Sequence, residues 1–324
     1  PGCNLTFYIE GLGGVLTENP DVKNYVTSLA GKGVVNADSE DGEDMADYTG
    51  VCLITGEKGL IQRKHGRTPI NKDTKSLVAI QKNSGYDSYG KQQAFNCPIS
   101  PQAEFAYTTA LNVLLKSGSN RVQIADTTIV FWAQKKDETF DLESEFAWVF
   151  TSDKDDPDKG AHAVRSVFNA VESGRLPPDE GNRFYVLGLA PNAARISVRF
   201  WKTGTIRDFA EKIYRHFRDF EIIRPVQDRY EFLPLYQVLG ATVLDYKMDN
   251  VPPNLAGAVV TSILDGAPYP RTLLHQCVRR IRAEQSKKDS RTGKPVQNVN
   301  RTRAAILKAC VNRFNRIYHP QNKE

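Results

Sequence analysis

Residues 183–201 read RFYVLGLAPNAARISVRFW, and this stretch carries the clearest fold signal in the chain. Its first half is a nearly unbroken apolar run. Its second half alternates Ile196, Val198 and Phe200 against Ser197, Arg199 and Trp201, the two-residue period of a strand with unlike faces. Pro191-Asn192 between the halves predicts an antiparallel hairpin with a slightly long loop. Thr205 then stands as the cap of a helix with Ile206, Phe209, Ile213 and Phe217 on one side.

Working outward from the hairpin, RVQIADTTIVFWA at 121–133 is rich in β-branched residues and predicts strand. Two helices are expected at 137–149 and 158–173, joined by the charged TSDKDDPDKG. Ser100 and Pro101 open another helix that Gly118 stops, with Phe105, Ala106, Thr109, Val113 and Leu114 recurring at helical spacing. Further upstream, Leu5–Ile9, VCLIT around Cys52 and SLVAIQ at 76–81 are strand candidates. GLGG at 11–14 reads as a tight turn and 36–47 as an acidic surface loop. Beyond residue 232 the patterns are helical, at 232–245, 253–265, 270–285 and 299–318. Leu273, Cys277, Val278 and Ile281 form the apolar stripe of the third of these. Leu307, Cys310, Val311, Phe314 and Tyr318 form that of the fourth, with Lys308, Arg313 and Arg316 elsewhere on its circumference. The whole reads as α+β: a mixed α/β part with antiparallel hairpins over 1–202, then a mainly helical part over 203–324.

The net charge of +5 conceals an asymmetry. Residues 1–60 hold 3 Lys/Arg against 10 Asp/Glu, whereas residues 271–324 hold 14 against 3. A basic end of that density points to a local polyanion, most simply a phosphate backbone, over the alternative of a merely solvated helix surface. Arg279, Arg282, Lys287, Lys288, Arg291 and Lys294 are the candidate contacts there. A second basic stretch, EKGLIQRKHGRTPINKDTK at 57–75, adds Lys58, Arg63, Lys64, Arg67, Lys72 and Lys75, with His65 among them. A plain exposed loop explains that stretch equally well. Five dispersed cysteines without a CxxC pair suit reduced thiols and a cytoplasmic protein. No apolar run approaches membrane-spanning length, so no membrane partner is expected.

Catalytic patterns are weak. GYDSYGKQ at 85–92 nearly spells a phosphate-binding loop, but Gln92 stands where Ser or Thr must follow the lysine, and Pro98 cuts the segment short. Lys91 is better suited to pairing with a nucleic-acid phosphate, with Tyr86 or Tyr89 stacking beside it. The five histidines are far apart in sequence, and no nucleophile elbow or carboxylate pair is present. No catalytic residue, metal site or cofactor is therefore expected.

VCLITGE (51–57), SYGKQQAFNCPIS (88–100), AEFAYTTALNVLL (103–115), RVQIADTTIVFWA (121–133) and FYVLGLAPNAARISVRFW (184–201) together resemble the large subunit of the type I-C CRISPR interference complex, Cascade. The resemblance runs in order from about residue 50 to 320. It implies a non-enzymatic subunit of an RNA-guided complex, with the backbone and small subunits, target DNA, the guide RNA and a helicase-nuclease as partners. The implied roles are support of protospacer-adjacent-motif recognition and of the opened R-loop. It also implies a further N-terminal portion and a small-subunit-like C-terminal helical part, both expected to be absent or incomplete here. Thr49 and Gly50 stand where the resemblance implies a cysteine pair, so no zinc site is expected. KDTK replaces a small-residue stretch after His65. Two other classes compete: a scaffold that binds guide RNA or protein without touching DNA, and a metal-dependent nuclease.

Overall fold

Among the described residues, antiparallel hairpins recur between residues 8 and 205, several of them closed by short turns. A computed structural model describes residues 8–9, 14–30, 48–81, 90–135, 140–151, 158–176, 182–193, 195–224, 226, 231–288 and 291–320. The expected acidic loop at 36–47 and Tyr86 and Tyr89 lie outside these residues, as does most of the GLGG turn. The fold is α+β, strands and helices mixed first and helices dominating the C-terminal region. The chain divides into two compact units, residues 1–113 with 192–196, and residues 114–191 with 197–324.

In the first unit, β1 (Tyr8–Ile9) pairs antiparallel with β2 (Gly14–Val15), and α1 (Pro20–Ala30) follows. A second ribbon pairs β3 (Thr49–Val51) with β4 (Lys58–Leu60). The apolar VCLIT is therefore not one buried strand. Cys52 is buried, but the chain turns there, with the Gly56 N–H bonded back to the Cys52 carbonyl. A third hairpin joins β5 (Arg67–Ile70) to β6 (Asp73–Ser76) through Asn71, which takes the left-handed conformation (φ 53°) that Asn tolerates better than most residues. The strand expected at 76–81 thus ends where it was to begin. The ladder partners belong to 67–70, and Leu77–Ile80 remain half-buried outside any strand. α2 (Pro101–Lys116) starts at the expected cap, the Ser100 hydroxyl accepting from Ala103 N–H at 3.3 Å. Its buried face is Ala103, Thr108, Leu111 and Leu115, while Phe105 and Val113 face water. The periodicity located this helix correctly and assigned the wrong face, because two interleaved apolar stripes fit the same spacing.

In the second unit, the segment at 121–133 forms two strands, β7 (Arg121–Ile124) and β8 (Thr127–Ala133), with Ala125 at φ 51° in the turn. α3 (Leu142–Phe150) and α4 (Asp158–Glu172) lead into β9 (Arg183–Asn192) and β10 (Arg195–Thr205). The sheet order here is β10-β9-β8-β7. α5 (Ile206–Phe220) follows directly, capped by the Thr205 hydroxyl accepting from Asp208 N–H. After it come α6 (Leu235–Gly240), α7 (Leu255–Asp265), α8 (Arg271–Ala283) and α9 (Arg301–Tyr318). One face of the sheet presents Ile129, Phe131, Phe184 and Val186 to a core shared with Phe146, Phe209, Ile213, Val259 and Ile263. β9 and β10 pack tightly at Gly188, where an added Cβ would lie 2.3 Å from the Phe200 ring. The alternation in β10 holds for Ile196 and Phe200, both buried, and fails at Val198, which is 51% exposed.

Candidate nucleic-acid interface

The basic stretch of the first unit is pinned at its centre. His65 is buried, its Nδ1 2.5 Å from the Tyr107 hydroxyl. Desolvation holds its pKa below the ordinary 6.5, against the opposing pull of Glu104, so the ring is neutral at pH 7. His65 is therefore an anchor and adds no charge to the loop. Gly66 N–H donates to Glu104 Oε1 at 2.7 Å, and Thr108 Oγ1 donates to the same oxygen at 2.8 Å. A Cβ at Gly66 would sit 3.0 Å from Thr108 Cγ2, so the close approach to α2 favours glycine. Cys52 is a second anchor, its Sγ accepting from Ser100 N–H at 3.3 Å. Burial raises its pKa, but hydrogen bonds from Ser100 and Thr55 outweigh that and bring it to about 6.

Around these anchors Lys58, Lys64, Arg67 and Lys72 are exposed, and Arg63, Lys75 and Lys91 are half-buried. Lys75 is partly used by the fold, donating to the Ala193 carbonyl and pairing with Asp73 at 3.4 Å. Lys91 lies 5.9 Å from the centre of the Tyr48 ring, and the chain after it forms a short 3-10 turn, not the long helix of a phosphate-binding loop. Sequence reading missed Arg195. The β ladder sets Arg67 and Arg195 on either side of Ser76, one on each neighbouring strand, and both arginines are exposed. Cross-strand neighbours share a face, so this is an Arg-Ser-Arg row. Its one sequence trace was the arginine closing the PNAAR turn.

The basic C-terminal region of the second unit divides into two populations. Arg279, Arg282, Lys287, Lys288, Arg291 and Lys294 are all exposed. Four of them crown the loop between α8 and α9, which closes on itself: Val296 N–H donates to the Lys287 carbonyl at 2.9 Å, and Lys288 bridges Pro295 in antiparallel fashion. Gly293, at φ 66°, makes the turn. Glu284 fastens the base of the loop, taking Arg280 Nε at 2.8 Å and Arg303 Nη1 at 2.5 Å, and these contacts hold its carboxyl below the usual range.

Two arginines of α9 face inward, which corrects the expectation that Arg313 lies away from the packed face. Arg303 and Arg313 are fully buried. Arg313 pairs with Asp219 at 3.1 Å, and Arg316 binds both oxygens of the same carboxylate at 2.5 and 3.0 Å. Lys308 donates to the Glu221 carbonyl. The apolar stripe expected on α9 is corrected in the same way: Ile306, Ala309 and Cys310 are buried, but Val311, Phe314 and Tyr318 are exposed. Arg303, Ile306, Cys310 and Arg313 recur at spacings of three, four and three, so the inward face was encoded, with arginine in apolar register. A scale that ranks arginine as surface hides it.

Among the described residues, no group of three or more His, Cys, Asp and Glu is placed to share a metal ion, and no helix is long and apolar enough to cross a membrane. Cys52, Cys97, Cys277 and Cys310 are outside any disulfide. A comparison with curated proteins gave no match. The model of one protein family, described as CRISPR-associated protein (Cas_Csd1), matches residues 1–324.

Proposed function

The chain belongs to the Cas_Csd1 family, the large subunits of type I-C CRISPR complexes, and from that premise we propose that it is a non-catalytic subunit binding target DNA within the RNA-guided assembly. The observation that carries this reading is the α8–α9 loop: Lys287, Lys288, Arg291 and Lys294 are displayed to solvent on a loop whose base is locked by Glu284 and by its own backbone bonds. A loop fastened at its base presents its cations with less backbone left to order on binding, the side chains still paying their own ordering cost. In such assemblies base pairing supplies sequence information, while protein cations hold backbone geometry. Lys58, Arg63, Lys64, Arg67 and Lys72, with Arg195, offer the same chemistry in the first unit, Lys75 and Lys91 contributing what their internal contacts leave. Support of adjacent-motif recognition, holding of the opened R-loop, and docking of the helicase-nuclease follow from the family reading.

Charge reversal of Arg279, Arg282, Lys287, Lys288, Arg291 and Lys294 tests it. Affinity for duplex target DNA falls, and the salt dependence flattens by about 0.9 for each phosphate no longer neutralised. An unchanged slope removes the assignment. A second reading is supported by the exposed strip Val311, Phe314 and Tyr318 on α9, which suits a protein partner. In that version the chain is a scaffold, and crosslinking the assembled complex to target DNA leaves no adduct on it.

A further inference from the structure

One face of the sheet of the second unit enters the core; on the other, Val130 and Leu189 are also buried, and three aromatic rings lie beyond them where that face is more open. Trp132 on β8 stands opposite Tyr185 on β9 in the ladder, and their rings stack with centroids 5.3 Å apart and planes 19° from parallel. Trp201 on β10 completes the group, 5.5 Å from Trp132 and 5.9 Å from Tyr185. Strand alternation sets all three on the face opposite Phe131, Phe184 and Phe200, which enter the core. Trp201 keeps 48% of its surface accessible, and the other two rings are half-buried. What is informative is the grouping: three adjoining rings left partly open form an apolar patch of the kind that marks a binding surface.

The surroundings indicate what the rings meet. Arg183, exposed, lies two residues from Tyr185 along β9 and therefore on the same face. Lys135, also exposed, follows the end of β8, where Gln134 N–H donates to the Arg183 carbonyl at 2.7 Å. Aromatic faces with cations at one end match the chemistry of unpaired nucleotides, whose bases stack without regard to sequence while their phosphates pair with Arg and Lys. Bases inside a duplex have both faces covered already, so the surface suits a single strand.

We propose that Trp132, Tyr185 and Trp201 form a stacking platform for the bases of an unpaired DNA strand, with Arg183 and Lys135 on its phosphates. The proposal rests on the nucleic-acid reading above and deepens it by adding a site for opened DNA that is distinct from the charged loops.

The test uses the full 324-residue chain and labelled oligothymidine. Binding quenches tryptophan fluorescence. Trp201→Ala lowers affinity roughly fivefold or more, the lower end of what one lost base stack costs, with the salt slope and duplex affinity unchanged. Trp201→Phe retains most of the affinity. Arg183→Glu instead flattens the slope by about 0.7, the value for one phosphate of a single strand. Unchanged oligothymidine affinity in Trp201→Ala, with no quenching in the parent, overturns the proposal. So does a loss confined to oligouridine, or a loss of protein capture with DNA binding intact. If reversing the 279–294 cations weakens duplex binding while Trp201→Ala has no effect, the platform alone falls. If that reversal has no effect while Trp201→Ala weakens oligothymidine binding, the loop assignment alone falls.

Discussion

Arg303 and Glu284 meet inside the second unit, Nη1 to Oε2 at 2.5 Å, with side chains that retain 1% and 9% of their accessible surface. Arg303 also donates from Nε to the Ala241 carbonyl at 2.9 Å and from Nη1 to the Asn298 carbonyl at 2.7 Å. One guanidinium thus ties the start of α9 to the end of α8 and to the turn after α6. The most basic part of the chain spends several of its charges on holding itself together.

Arg303→Ala leaves Glu284 with Arg280 alone and empties a fully buried site. The expected loss of stability is about 3 kcal/mol or more, read by denaturant unfolding. Lys287→Glu with Lys288→Glu changes stability by less than about 0.5 kcal/mol. Equal effects from the two changes refute the division between buried and displayed cations.

The face of α9 gives a second contrast. Ile306→Ala costs about 2–5 kcal/mol, because it opens a cavity in a packed core. Phe314→Ser, on the exposed side, changes the unfolding midpoint little. A larger effect from Phe314 than from Ile306 contradicts the observed orientation of the helix.

Stability depends on the buried histidines in a defined pH window. His216 is wholly buried against Tyr269, its Nδ1 2.7 Å from the hydroxyl, and desolvation, aided by Arg313, holds its pKa well below 6.5. His65 is displaced in the same direction. The unfolded chain therefore binds more protons than the folded one as pH drops below about 6.5, and stability declines through that range. Glu284, whose pKa is lowered, adds its own loss only below about 4.5. Urea midpoints measured between pH 7 and 5 decrease in the parent and decrease less in His216→Gln, compared with that variant's own value at pH 7. A flat profile in the parent rejects neutral burial of these rings.

Gly188→Ala forces a methyl group against Phe200, whose ring lies 2.3 Å from where that carbon must sit. The cost is about 1–3 kcal/mol of overpacking, and Phe200→Leu in the same chain recovers part of it. Absence of coupling between the two changes shows that the strands do not meet as described.

Much of the architecture was legible in the residues alone. Thr205 capping α5, Ser100 opening α2, and the 183–201 hairpin follow from local rules, because a cap or a two-residue period depends on neighbours in sequence. The basic residues at 279–294 and around 58–72 were legible for the same reason, charge being a property of composition. Other features were set by partners distant in sequence. Arg313 is buried because Asp219 on α5 accepts it, and Arg195 joins Arg67 because Ser76 lies between them in a ladder. Trp132, Tyr185 and Trp201 each read as ordinary strand aromatics until three strands brought them to one face. The sequence by itself determined where the 183–201 hairpin and most of the helices form and where positive charge is dense. Only the tertiary structure decided which faces and charges remain in water, because burial depends on what packs opposite a residue.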